Sequence, residues 1–192
     1  MNLHAIQTLR KTLAKRRDED GTRSYAMLLI LLTTGMRASE LVRLTRTDFR
    51  RDDRGPLISF YRPKRRDRHS IRLSEKTFRK LTRAIHSYHR VANIQGAHAN
   101  HIFWSRQVRR AGQGTFVFHT KLVTRSVQRI VNSWGLLDGL GRIVATHALR
   151  HHVGRMAARK GDFIYAQKLL GHKDPRTTSE FYTEAFVQAM EL

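Results

Sequence analysis

The longest apolar run in the chain, AMLLILL at residues 26–32, constrains the fold more than any other stretch. A bilayer needs roughly 20 consecutive apolar residues, so a run this short cannot span one and has to be covered by protein. It reads as a buried helix, ended by Gly35, around which a core is assembled. The full 192 residues suffice for one sizeable core on the rough scale of about 150 residues per domain. One domain over 1–192 is therefore expected, with an N-terminal helix in 1–20 and an apolar tail at 184–192. Apolar residues at 3, 6, 9 and 13 among basic ones make the start an amphipathic helix rather than a secretory leader. The chain has no cysteine, which removes disulfides, thiolate zinc sites and a cysteine nucleophile.

Charge bounds the partner. Lys and Arg number 37 against 15 Asp and Glu, a formal net charge of +22, and the basic residues run from 10 to 176 instead of forming a tail. A folded chain this basic, with no large amphipathic anchor, is expected on phosphate backbones, so nucleic acid is the predicted partner and membrane is not.

The pattern along the chain predicts helices near 2–17 and 23–34 and a short one at 39–44. LISFYRP and HSIRL flank the basic turn KRRDR with the alternation of a β-hairpin. Ser74 followed by Glu75 opens a helix toward 93. Residues 95–120, with Gly96, Gly112 and Gly114, read as a long loop with one strand at HIFW. Further helices are expected at 124–134, 146–160, 163–170 and 176–183. The fold class is α+β, mainly helical with a small antiparallel sheet.

Four stretches could carry chemistry, and each also has a plain structural explanation. In TTGMRASELVRL, Arg37 and Glu40 stand at i, i+3, the spacing of a local ion pair. In THALRHH, His147 and Arg150 leave one helix face together, as a solvated basic face would. Lys64 sits at the hairpin turn beside Arg65, Arg66 and Arg68, four cations suited to backbone phosphates. In LLGHKDPRTTSEFY, Gly171 ends a helix, His172 follows, and Tyr182 comes late. His147 and His151 have the i, i+4 spacing of two zinc ligands, but Ala148 replaces the Glu of HExxH and no carboxylate lies nearby, so no metal site is expected. As a set, the two arginines, lysine, histidines and tyrosine could hold a phosphodiester without metal, because guanidinium forks match non-bridging oxygens bidentately and stabilise the charge of a pentacoordinate transition state.

In this order and spacing the stretches resemble the catalytic domain of the tyrosine recombinases, or phage-type integrases. TGMRASELVRL is similar to the first arginine box, THALRHH to the His-x-x-Arg-His box and LLGHKDPRTTSEFY to the Leu-Gly-His to tyrosine segment. KRRDRHSIRL resembles the lysine hairpin, with Lys64 nine residues before Leu73, and VTRSVQRIVNSWG resembles the helix before the second box. The resemblance implies Tyr182 as nucleophile, Arg37 and Arg150 as phosphate clamp, and Lys64 as the acid that protonates the leaving 5′-oxygen. It implies His147 and His172 in proton transfer and hydrogen bonding, and Glu40 and His151 in orienting these groups. Arg65, Arg66 and Arg68 are expected on DNA. A free tyrosine has a pKa near 10 and is ionised in only about one copy in a thousand at neutral pH, so a nucleophilic Tyr182 would need cationic company.

The implied activity is site-specific recombination through a 3′-phosphotyrosyl intermediate and a Holliday junction, without metal, ATP or another cofactor. The implied assembly is a homotetramer on double-stranded DNA, with accessory DNA-bending proteins possible, in the cytoplasm with the nucleoid, and bacterial, phage or plasmid encoded. Two features depart from the pattern. Ten residues separate His172 from Tyr182 where nine are usual, and the stretch before residue 20 is too short for the N-terminal DNA-clamping domain of typical members. In length the chain is similar to the short members that invert fimbrial promoter switches. A type IB topoisomerase or hairpin-telomere resolvase shares the same chemistry, and a catalytically inactive DNA-binding regulator is the alternative from another class.

Overall fold

A computed structural model describes residues 2–96, 100–111, 114–160 and 163–171. Helices α1 (Leu3–Lys15) and α2 (Glu19–Thr34) come first, then the short α3 (Ala38–Leu41) and a 3-10 turn, Arg46–Asp48. Strands β1 (Phe49–Asp52), β2 (Gly55–Arg62) and β3 (Asp67–Arg72) form an antiparallel sheet with β2 in the centre. Helix α4 (Glu75–Val91) leads to a separate two-stranded sheet of β4 (Trp104–Ala111) and β5 (Gly114–Lys121). Helices α5 (Thr124–Asn132), α6 (Thr146–Lys160) and α7 (Phe163–Leu170) follow. The α+β class expected from the pattern is the class observed.

The apolar run behaves as its length requires. Ala26 to Leu31 are all buried in α2, which packs on α1, α4 and α6. The helix starts at residue 19 rather than 23, because the Asp18 side chain accepts the Gly21 amide at 2.8 Å and Glu19 and Asp20 sit at the positive end of the helix dipole. Helix α4 is capped by Ser74, which accepts the Thr77 amide, and turns Leu81, Ala84, Ile85 and Tyr88 into the same core. Tyr88 is fully buried; its hydroxyl bonds both the amide and the carbonyl of Trp104, and burial pushes its pKa up to about 12.

Two expectations fail here. The 95–120 stretch is not a long loop with one strand at HIFW: β4 and β5 pair in full register from Trp104↔Lys121 to Ala111↔Gly114. Their sequences, SRQVRR and TFVFHT, pair without burying a face, so the alternation that marks a half-buried strand is missing. Strand β1, for which the sequence pattern predicts no element, is a charged edge of which only Phe49 is part-buried, and it joins β2 by a tight turn at Asp53 and Arg54. The helix expected at 176–183 and the tail at 184–192 lie outside the described residues. Among the described residues no helix is long and apolar enough to cross a membrane.

Candidate active site

Four separate elements bring the basic residues toward one place. Helix α2 ends at Gly35, whose φ of +61° is open to glycine at little cost; an added Cβ there would sit 2.6 Å from Leu170 Cδ2 of α7 and 3.2 Å from Val153 Cγ1 of α6. Arg37, two residues on, caps α3. Glu40, 2% exposed, accepts the Arg37 amide at 2.7 Å through Oε2 and its guanidinium at 3.2 Å through Oε1. The i, i+3 pair read from the sequence is thus formed, and it fixes the direction of a partly exposed guanidinium.

Arg150 projects from the middle of α6 and is 6% exposed. Its Nη1 donates to Gly35 O at 2.6 Å and its Nη2 to Leu170 O at 2.7 Å. A single guanidinium therefore ties the C-terminal ends of α2 and α7 together. His147 lies one turn earlier in α6, exposed, with its ring 6.4 Å from that of His151. Burial holds His151 below the ordinary histidine pKa, and the charges of His147 and Arg150 act in the same direction. Among the described residues no cluster of three His, Asp or Glu side chains could hold a metal ion.

The β2–β3 hairpin forms the facing wall. Its ends are joined by Arg62, which donates to both Asp67 oxygens, at 2.7 and 2.5 Å. The four residues between them make the turn, closed by Arg65 and Arg66 amides on Arg62 O, with Arg66 in the left-handed region at φ 55°. Lys64 stands exposed in that turn. Arg65 lies close enough to Arg62 and Arg37 that burial and these two cations hold its pKa below the ordinary arginine value, against Asp67 and Glu40. Arg68 turns to the other side, where it bonds Asp48 and the Ser59 carbonyl. It therefore sits apart from Arg65 in the arrangement, although its side chain remains 53% exposed.

Two contributors to this place were missed in the sequence, Arg62 and His69. Arg62 Nη1 donates to Gly171 O at 3.1 Å, and His69 Nε2 to Leu169 O at 3.0 Å. His69 packs edge-on to Phe60, and burial, with the charges of Arg62 and Arg150, holds its pKa down, opposed by the Leu169 carbonyl and Glu40. The i, i+5 pairing of Arg62 with Asp67 across a turn was the one available signal. His172 and Tyr182 lie outside the described residues. Tyr25, Tyr61 and Tyr165 are at least partly exposed, whereas Tyr88 is sealed in the core. A concavity of about 760 Å³ between α1, α2 and α4 is lined by Arg16, Arg17, Lys76, Arg79, Lys80 and Arg83 and contains none of the candidate catalytic residues.

An arginine carried by the α2–α3 junction, a lysine hairpin, a buried arginine in α6 and the end of α7 thus meet in the order that the motifs have in the chain. The model of the phage integrase family matches residues 1–188. The chain belongs to that family. A tyrosine recombinase XerC of Neisseria gonorrhoeae is 36% identical over 66 residues, which is 34% of this chain and 21% of XerC. Among solved structures, the XerA recombinase superposes with a TM-score of 0.68 at 21% identity, over 98% of this chain and 64% of XerA. XerH bound to its palindromic difH substrate in a post-cleavage complex gives 0.67 at 18% identity, over 100% of this chain and 52% of XerH. The catalytic domain of bacteriophage HP1 integrase gives 0.57 at 18% identity, over 95% of this chain and 86% of that domain. At these identities the structural likenesses establish the fold. The chain spans less than two thirds of XerA and matches about a fifth of XerC.

Proposed function

We propose that this integrase-family chain is the catalytic part of a site-specific DNA recombinase that cleaves and rejoins strands through Tyr182. The Tyr182 hydroxyl oxygen attacks the scissile phosphorus, a phosphotyrosyl bond forms at the 3′ side, and the bond to the 5′-oxygen breaks. Lys64 gives that oxygen its proton. Arg37 and Arg150 face the non-bridging oxygens, whose added charge in the transition state a planar guanidinium stabilises better than an ammonium. His147 and His172 hydrogen-bond the phosphate and relay protons, and Glu40 and His151 orient their neighbours. Arg65 and Arg66 engage the DNA backbone, with Arg68 contacting it farther along the hairpin. The residues named form a homotetramer's active sites on paired DNA, two of which act at a time through a Holliday junction.

The observation that carries this reading is the placement of Arg150. It holds Gly35, two residues before Arg37, and Leu170, two residues before His172, on one guanidinium, opposite the hairpin that presents Lys64. A merely solvated basic face would not bury that arginine at 6% exposure. Arg65, crowded by Arg62 and Arg37, gains when an anion arrives between them.

The test is covalent trapping on a nicked duplex carrying the repeats that flank the gene, read by denaturing electrophoresis. Wild-type protein should form an adduct and Tyr182→Phe none, with DNA affinity nearly unchanged because one hydroxyl is lost from a very basic surface. Arg37→Lys should cleave on the order of a hundredfold more slowly, since an ammonium cannot make two parallel hydrogen bonds. An adduct that survives Tyr182→Phe would remove this assignment. Binding without any adduct in the wild type would favour a DNA-binding regulator instead.

A further inference from the structure

The last carbonyls of an α-helix have no partner within the helix and must find one elsewhere. In α7 each of the final four positions up to Gly171 is accounted for, and three of the donors come from outside the helix. Lys168 O accepts the Gly171 amide at 3.1 Å. Leu169 O accepts from His69 of β3 at 3.0 Å, Leu170 O from Arg150 of α6 at 2.7 Å, and Gly171 O from Arg62 of β2 at 3.1 Å. Three successive carbonyls are thus gripped by side chains of three different elements. Gly171 itself is left-handed at φ +63°, and a Cβ there would run into the Arg62 guanidinium and lie 3.2 Å from His69 Cε1. The left-handed backbone and the nearby Arg62 and His69 side chains disfavour a side chain at the residue directly before His172.

Arg62 and His69 do not need this arrangement to fold a hairpin. The β2–β3 ladder runs in register from Leu57↔Arg72 to Arg62↔Asp67, and the Arg62–Asp67 pair already closes it. Their remaining hydrogen bonds go instead to the C-terminus of a helix about 100 residues away in sequence, where cationic and N–H donors are favoured by the helix dipole. Since a carbonyl can only accept, the His69 proton must be on Nε2.

We propose that Arg62 and His69 are positioning residues: they fasten the end of α7 to the Lys64 hairpin, so that the lysine and the segment leading to His172 and Tyr182 are held in one register. Neither touches the scissile phosphate. The proposal rests on the strand-cleavage reading above for its consequence, but the fastening itself is a property of the DNA-free protein. Arg62 provides charge and reach, and His69 provides the contact that can be removed with the least disturbance, because a phenyl ring preserves its packing on Phe60.

The experiment compares wild type, His69→Phe and His69→Gln, the last chosen because its amide can donate to Leu169 O. Hydrogen–deuterium exchange over peptide 163–171 is measured without DNA, and single-turnover adduct formation is measured at saturating nicked DNA alongside the DNA Kd. His69→Phe should exchange faster in that peptide and cleave about tenfold more slowly, with Kd within about twofold of wild type, whereas His69→Gln should recover both rates. Unchanged exchange in His69→Phe would overturn the fastening. Faster exchange with a wild-type cleavage rate would overturn its part in positioning, as would a cleavage defect explained wholly by weaker Kd. If wild-type protein gives no adduct, the strand-cleavage reading falls and positioning for it falls with it, while the exchange arm still decides whether His69 holds α7.

Discussion

The β2–β3 and β4–β5 hairpins both pair strands of six to eight residues and both carry several arginines, yet they stand in opposite relations to the rest of the molecule. In β2–β3, Leu57, Ile58 and Phe60 enter the core, Arg62 and His69 bond the end of α7, and little of the central strand is left outside. In β4–β5, Val108, Phe116, Val117 and Phe118 are all about half exposed or more, and the arm is held at its base through Glu19 of α2, which meets His119 at 2.8 Å and Arg106 at 3.5 Å. Pairing alone therefore makes a hairpin, and burial of side chains decides whether it becomes a wall of a site. The same contrast bears on legibility: β3 alternates between exposed and more buried positions, whereas Val108, Phe116, Val117 and Phe118 stand exposed on both faces of their arm.

The largest expected effect probes the fastened side. Arg150→Met leaves two buried carbonyls, at Gly35 and Leu170, without donors; at about 1–3 kcal/mol for each unsatisfied group, several kcal/mol of stability should be lost in urea unfolding. A loss below about 0.5 kcal/mol would mean that the ends of α2 and α7 do not depend on that guanidinium.

Gly171→Ala comes next. Its left-handed φ alone should cost about 1–2 kcal/mol, and contact with Arg62 adds to it. Gly135→Ala is the control, since Gly135 has nearly the same φ, +65°, but open space around it, so the difference between the two measures the crowding.

Stability should also respond to pH through the fastened side. His69, His151 and His152 are all held below the ordinary histidine value, chiefly by burial. The unfolded chain, with histidines near pKa 6.5, then binds more protons than the folded one as pH falls, so the contribution is fully present above about 6.5 and is lost on going lower. The melting temperature should drop between pH 7 and pH 5, and His69→Gln should flatten part of that drop. A His69→Gln profile as steep as wild type would show that His69 is not among the groups responsible.

The smallest effect belongs to the exposed arm. Phe116→Ser and Val117→Thr should change stability by no more than about 0.5 kcal/mol, as for other surface positions. A loss above about 1 kcal/mol in either variant would erase the contrast between the hairpins.

Much of this was determined by sequence alone. The run at 26–32 had to be a buried helix because it is apolar all round. Helices 146–160 and 163–170 were legible to the residue from their periodicity and their boundaries at Thr146 and Gly171. The order of Arg37, Lys64, His147 and Arg150 along the chain was enough to suggest phosphodiester chemistry. Tertiary structure alone decided that Arg150 would be buried between two helix ends and that Arg62 and His69 would reach beyond their own hairpin to grip α7. Those bonds end on backbone carbonyls, which every residue carries and which therefore leave no mark in the sequence; which carbonyl an arginine reaches is known only when distant segments have been packed together.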